Sequence, residues 1–139
     1  ILCTTLHVNY ATFKEIEEDD VTKHKMHFES YEIAATTLQQ INVLRKAGKQ
    51  TVAVGTTSCR VLESAVRTGC NKGETDLFIY PGYQFQLTDA LITNFHLPYS
   101  SLLLLVFAFG GTALIKRVYQ EAIKEKYRFF SYGDAMLIL

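Results

Sequence analysis

Residues 89–111 read DALITNFHLPYSSLLLLVFAFGG, and this stretch decides the fold. Residues 90–95 alternate enough, and are β-branched enough, to predict a strand ending at Phe95. Pro98 lacks an N–H and biases Leu97 away from helix, so the chain should break there. Ser100 or Ser101 can then cap a helix whose residues 102–109 are apolar on almost every face, as befits a buried element. Asn94 and His96 would then stand at the carboxyl end of a strand, where ligands sit in open α/β sheets. The plainer use of the same two residues is to tie down a tight turn with local hydrogen bonds.

On the far side of this stretch, Gly110 and Gly111 should end the apolar helix. A second helix follows, with Ile115, Tyr119, Ala122 and Ile123 inward and Lys116, Arg117, Lys124 and Lys126 outward. Residues 128–134, RFFSYGD, form a turn rich in stacking and hydrogen-bonding groups, and residues 135–139 can close a sheet as its last strand. On the near side, residues 76–80 read as a strand and Pro81-Gly82 as a type II turn. Residues 71–75 are the most polar loop and the expected site of proteolytic nicking.

Further back, residues 50–54 predict a short strand that runs into Gly55, Thr56, Thr57 and Ser58 and then an amphipathic helix. N–H groups and the helix dipole converge at such a turn and favour an anion, or else the hydroxyls simply cap the helix. The lysine of a P-loop is absent, which excludes an NTPase of that type. Arg60 in the first helical turn is poorly placed for the dipole and calls for a charged partner, either a ligand anion or a buried carboxylate. Thr37 and Gln40 have capping-box spacing for an earlier helix that stops at Gly48. Residues 26–34 predict a strand with His27 and Glu29 on one face, and residues 4–8 another. His24, His27 and Glu29 lack a fourth ligand and the geometry of a zinc site, so no metal is expected.

Strands and helices alternate, which predicts one α/β domain over residues 1–139, a mainly parallel sheet with helices on both faces. At 48% hydrophobic, 20% charged and zero formal net charge, the chain is globular and carries no global basic field, so any RNA-binding patch must be local. Cys3, Cys59 and Cys70 form neither a disulfide framework nor a zinc pattern, and no signal peptide or bilayer-length run is visible. A cytoplasmic location with no membrane partner is the expectation. A start at Ile1, close to a strand, suggests a piece of a larger α/β protein.

Several blocks closely resemble the S-adenosylmethionine:tRNA ribosyltransferase-isomerase family of queuosine biosynthesis. They are LHV and TF near the start, HKMHFE, VGTTS with Arg60 and Leu62-Glu63 behind it, TDLFIYPGYQF, DALITNFHLP before LLLLV, and YRFFSYGDAMLI. They keep the family's order from Leu6 to Leu139. The sequence departs at Asn9, Tyr10 and Ala11, where the family has a Gly-x-Gly turn, and at Tyr99, where lysine is common. The resemblance implies a missing N-terminal portion. It also implies transfer and isomerisation of the ribosyl group of S-adenosylmethionine, a co-substrate, onto 7-aminomethyl-7-deazaguanine in tRNA. Epoxyqueuosine, adenine and methionine are the products. Such chemistry needs a base, an acid for departing adenine, and donors to sugar and carboxylate oxygens. His96, Asp89 and Asp134 are the catalytic candidates, with Thr56, Thr57, Ser58, Arg60, Asn94, Ser131 and Tyr132 as binding groups. A non-catalytic nucleotide- or RNA-binding module, or an interaction fragment of the enzyme, would use the same residues differently.

Overall fold

The alternation of Thr4–His7 and Glu29–Ile33 puts Leu6, Tyr31 and Ile33 inward, and both segments are strands, β1 and β2. The structure, a computed structural model, describes residues 1–9, 16 and 20–139. The turn expected over residues 9–11 therefore lies outside the described residues except for Asn9, as does most of the acidic run at residues 15–20. After β2 come α1 (Ala35–Lys46), β3 (Val52–Val54), α2 (Thr56–Thr68), β4 (Lys72–Thr75), β5 (Ala90–Asn94), α3 (Ser101–Gly110), α4 (Thr112–Lys124) and β6 (Ala135–Ile138). Helix α1 starts directly behind β2 with no side-chain cap on Ala34, ahead of the Thr37–Gln40 pair expected to open it. Ser100 does cap α3, its Oγ accepting from Leu103 N–H at 3.1 Å.

The α/β class holds, but parallel pairing is confined to one ladder. Among the described residues the strands form two three-stranded sheets, β1-β2-β4 and β3-β5-β6, in which only β3 and β5 run parallel. The ladders β1–β2, β2–β4 and β5–β6 are antiparallel. Strand β6 runs backwards because the loop before it docks on the carboxyl end of β5, where Phe130 N–H donates to Phe95 C=O at 2.8 Å. Residues 71–75 are no open loop, since Lys72–Thr75 pairs with β2 and Gly73 lies opposite Tyr31. Among the described residues, residues 76–80 join no strand ladder, and they send Leu77 and Ile79 into the core. The Pro81-Gly82 turn forms as read, with Gly82 at φ 106° and Tyr83 N–H on Tyr80 C=O.

Helix α2 contacts β1 and β2 of one sheet and β3 and β5 of the other. Its buried stripe holds Cys59, Val61, Leu62 and Ala65, and also polar Arg60, Glu63 and Ser64. Each polar residue has a partner on a neighbouring element. Ser64 Oγ lies 2.7 Å from Thr75 Oγ1 on β4, and Thr68 Oγ1 lies 2.6 Å from the Tyr31 hydroxyl on β2. Glu63, fully buried, accepts the backbone N–H groups of Gln86, Leu87 and Thr88 at 2.9–3.0 Å and the hydroxyls of Thr88 and Tyr83.

Helix α3 is covered on one side only. Ser101, Leu105 and Val106 are buried and the other positions are half-exposed. Among the described residues no single helix is long and apolar enough to cross a membrane, and α3 and α4 meet at 115°. Gly110 permits that bend, because a Cβ built there would lie 2.5 Å from Ile115 Cδ1 and 3.2 Å from Ile138 Cγ2. We expect Gly110→Ala to lower stability by about 1–3 kcal/mol through overpacking. Adding Ile115→Val, which removes Cδ1, should recover part of that loss in urea denaturation. Strictly additive losses would mean that the contact is not the cause.

Candidate functional site

The parallel ladder aligns two carboxyl ends on one rim. Val54 pairs with Ile92, and Gly55 N–H continues the ladder onto Ile92 C=O at 2.8 Å. Gly55, at φ 91°, then turns the chain into α2. As N-cap it provides no side chain, and the first turn of α2 carries no acidic residue. The first-turn N–H groups of Thr56, Thr57 and Ser58 face the positive end of the helix dipole. Thr56 is buried, Thr57 exposed and Ser58 half-exposed. Ser58 also lines an apolar groove of about 390 Å³ that runs along β3 past Ile41, Leu44 and Leu62.

Asn94 ends β5 on the same rim, opposite Ala135, and its Nδ2 donates to Asp134 C=O at 3.0 Å. Asp134 in turn organises the preceding turn. Its carboxylate accepts Arg128 N–H at 2.6 Å and pairs with the Arg128 guanidinium at 3.3 Å, which holds its pKa below the usual carboxylate value. Ser131 and Tyr132 project from that turn, Tyr132 being 78% exposed. Beneath it, Phe95 stacks edge-on with Tyr119 and Tyr127 and lies 5.2 Å from Phe129. The structure thus gathers residues 55–58, Asn94, Ser131, Tyr132 and Asp134 at one sheet rim.

His96 sits behind the rim and not on it. It is 7% exposed, with Nε2 2.8 Å from Thr93 Oγ1 and its backbone N–H on the Tyr119 hydroxyl at 2.9 Å. Burial pushes the imidazole down to about 4. It is therefore neutral at pH 7, which suits a base or a hydrogen-bonding group and not an imidazolium acid.

Two expected site residues stand apart from the rim. Asp89 precedes β5, at the opposite end of the strand from Asn94, where its carboxylate binds the Arg45 guanidinium and accepts Thr51 N–H at 2.7 Å. It fastens α1 to the sheet and is not part of the gathered group. Arg60 found the carboxylate alternative: Nη1 binds Glu29 on β2, with both side chains almost wholly buried. Among the described residues no three metal-binding side chains come together, and Glu29 binds the Arg60 guanidinium and accepts Asn9 N–H.

Sequence reasoning passed over Glu63. The available signal was its place beside Leu62 on the apolar stripe of α2, where a charge has no reason to sit unless something receives it.

The description of one family model is queuosine biosynthesis protein. It matches residues 1–138, and the chain belongs to that family. Over 134 residues the chain is 55% identical to the S-adenosylmethionine:tRNA ribosyltransferase-isomerase of Polynucleobacter necessarius, covering 96% of this chain and 38% of that protein. It is 55% identical over 141 residues to the protein of the same name from Symbiobacterium thermophilum, covering 97% and 41%. A crystal structure of S-adenosylmethionine tRNA ribosyltransferase from Thermotoga maritima superposes with a TM-score of 0.77 at 51% identity, over 80% of this chain and 40% of that one. The chain spans about two fifths of the length of the curated relatives it matches.

The buried His96 makes stability depend on pH. Its folded pKa of about 4 lies below the unfolded value of about 6.5, so between them the unfolded chain binds the extra proton. Stability is then full above pH 6.5 and falls by up to about 3 kcal/mol as pH drops through 4. We expect His96→Gln to flatten the slope of urea midpoints between pH 7 and pH 4.5. An unchanged slope would place the titration elsewhere.

Proposed function

We propose that the chain is an α/β domain forming the C-terminal portion of an S-adenosylmethionine:tRNA ribosyltransferase-isomerase. One observation carries this reading: more than half of the residues are identical to relatives of that name across nearly the whole chain. In the proposed reaction the sulfonium of S-adenosylmethionine acidifies the adjacent methylene. A base removes that proton, and adenine leaves. The aminomethyl group of 7-aminomethyl-7-deazaguanine in tRNA attacks the rearranged sugar, and methionine departs as the epoxide closes. The reaction needs no metal and belongs in the cytoplasm, where tRNA is available.

The rim suits parts of this task. The uncapped start of α2 offers the N–H groups of Thr56, Thr57 and Ser58 to an anionic oxygen. Asn94, Ser131 and Tyr132 offer hydrogen bonds and a stacking surface to sugar or base. The Asp134 carboxylate, ionised through Arg128, can orient a hydroxyl or hold a cationic amine. Neutral His96 is the proton acceptor of the proposal, reached through Thr93. The apolar groove along β3 favours a narrower second reading for this stretch alone, as a module whose groove is covered by the rest of the polypeptide.

The test is adenine release from S-adenosylmethionine by the full-length protein, with and without tRNA carrying the modified base. Release that requires both partners is the expected result, and none with either would sink the proposal. For His96→Ala we expect about a hundredfold to ten-thousandfold drop in turnover. A variant that melts several degrees lower yet keeps near-normal turnover would make His96 a structural residue.

A further inference from the structure

Among the described residues three that are not glycine have left-handed backbone: Tyr99 at φ 55°, Lys126 at 57° and Phe130 at 60°. An L side chain is strained in that region, and a bulky ring such as Phe130 is an outlier there. Lys126 follows the cap of α4, with its N–H on Ile123 C=O at 3.1 Å and Tyr127 N–H on Ala122 C=O at 2.9 Å. Glycine is the ordinary occupant of that place, since it turns the chain there without strain. Folding alone would favour glycine at such positions, so these side chains carry a task of their own.

The three lie around one corner. Phe130 N–H donates to Phe95 C=O at 2.8 Å, and the Tyr127 and Phe95 rings are 5.7 Å apart. Tyr99 stands four residues beyond Phe95, within about 14 Å by chain length. All three are exposed, as are Tyr127 and Tyr132 beside them. Beneath them Phe95, Tyr119 and Phe129 pack ring on ring, so the platform is stiff before anything lands on it. The surface is also short of free anions. Glu121 and Glu125 pair with Lys124, and Asp134 with Arg128, while Lys126 makes no ion pair among the described residues. Exposed rings beside an unpaired cation suit single-stranded RNA, whose splayed bases stack on rings and whose phosphates meet cations. An apolar protein face would leave Lys126 without a counter-charge, and a duplex would hide its base faces from the rings.

We propose that the surface made by Tyr99, Lys126, Tyr127, Phe130 and Tyr132 docks a single-stranded RNA loop, with bases on the rings and a phosphate on Lys126. This rests on the reading of tRNA as substrate and adds where the nucleotides flanking the modified base go. The turn that carries Phe130 and Tyr132 ends at Asp134, whose C=O is bonded to Asn94 on the sheet rim. A base held at the rim therefore has its neighbours over this platform.

The full-length protein should be titrated, over a range of salt, with an anticodon stem-loop RNA carrying 7-aminomethyl-7-deazaguanine. Lys126→Gly removes the charge and relieves the backbone together, so it should melt no lower than the wild type yet bind the RNA more weakly. Its plot of log affinity against log salt should be shallower by about 0.7, the share of one single-strand phosphate. Its affinity for S-adenosylmethionine should be unchanged. Phe130→Gly should weaken RNA binding by about fivefold to a hundredfold, and Phe130→Tyr should keep it. A fully paired RNA duplex should be indifferent to Phe130→Gly. Wild-type RNA affinity in either glycine variant, or a loss that the duplex shares equally, would overturn the surface. So would a Lys126→Gly protein that melts lower or loses S-adenosylmethionine in step with RNA. Should Phe130→Gly not fold, Lys126→Gly and its salt slope decide alone. Failure of the wild type to bind the stem-loop at any salt would instead remove the tRNA reading, and the surface with it.

Discussion

The architecture depends on a buried carboxylate held by backbone and hydroxyl donors. Glu63 is fully buried and is satisfied by three backbone N–H groups and two hydroxyls, all from residues 83–88. Left unsatisfied, each of those groups would carry a desolvation penalty of about 1–3 kcal/mol. Glu63 therefore dictates that the segment between the Pro81-Gly82 turn and β5 wraps α2 at one fixed height. Arg45 secures the same segment from the other side, donating to Leu87 C=O at 2.9 Å and Gln86 C=O at 3.2 Å while it binds Asp89. With both ends held, β5 must enter the sheet in register with β3, and the rim that follows from that register is set before any ligand arrives.

The same logic joins the two sheets. Helix α2 lies against both three-stranded sheets. Polar pairs on its flank, Arg60 with Glu29, Ser64 with Thr75 and Thr68 with Tyr31, fix the rotation of the helix about its axis. Apolar burial would tolerate a slide, whereas directional bonds do not. A buried pair such as Arg60–Glu29 adds little net stability compared with apolar packing, so its value here is the single orientation it enforces.

Much of this was legible in local sequence where the governing contacts are local. The strand into Asn94, the break at Pro98 and the Ser100 cap follow from residue types within a few positions. The common rim of Gly55 and Asn94 followed from placing both at strand ends. Direction was not legible for β6, because it hangs on Phe130 reaching Phe95 across the intervening helices. Nor was the pairing of Lys72–Thr75, whose exposed Lys72 and Glu74 look like loop until β2 supplies a partner edge. Asp89 draws notice through its family block, and Arg60 through its block and its poor place for the helix dipole. Their partners, Arg45 and Glu29, lie 44 and 31 residues away and could not be read from spacing.

Thr56 and Arg60 belong to the same rigid helix, four residues apart in sequence. At 1.5 Å per residue, the start of α2 and the Arg60 guanidinium's base are about 6 Å apart along the axis. No loop movement can change that spacing, since it is a property of helix rise alone. The helix therefore acts as a ruler between those two backbone positions, a length that flanking turns cannot stretch.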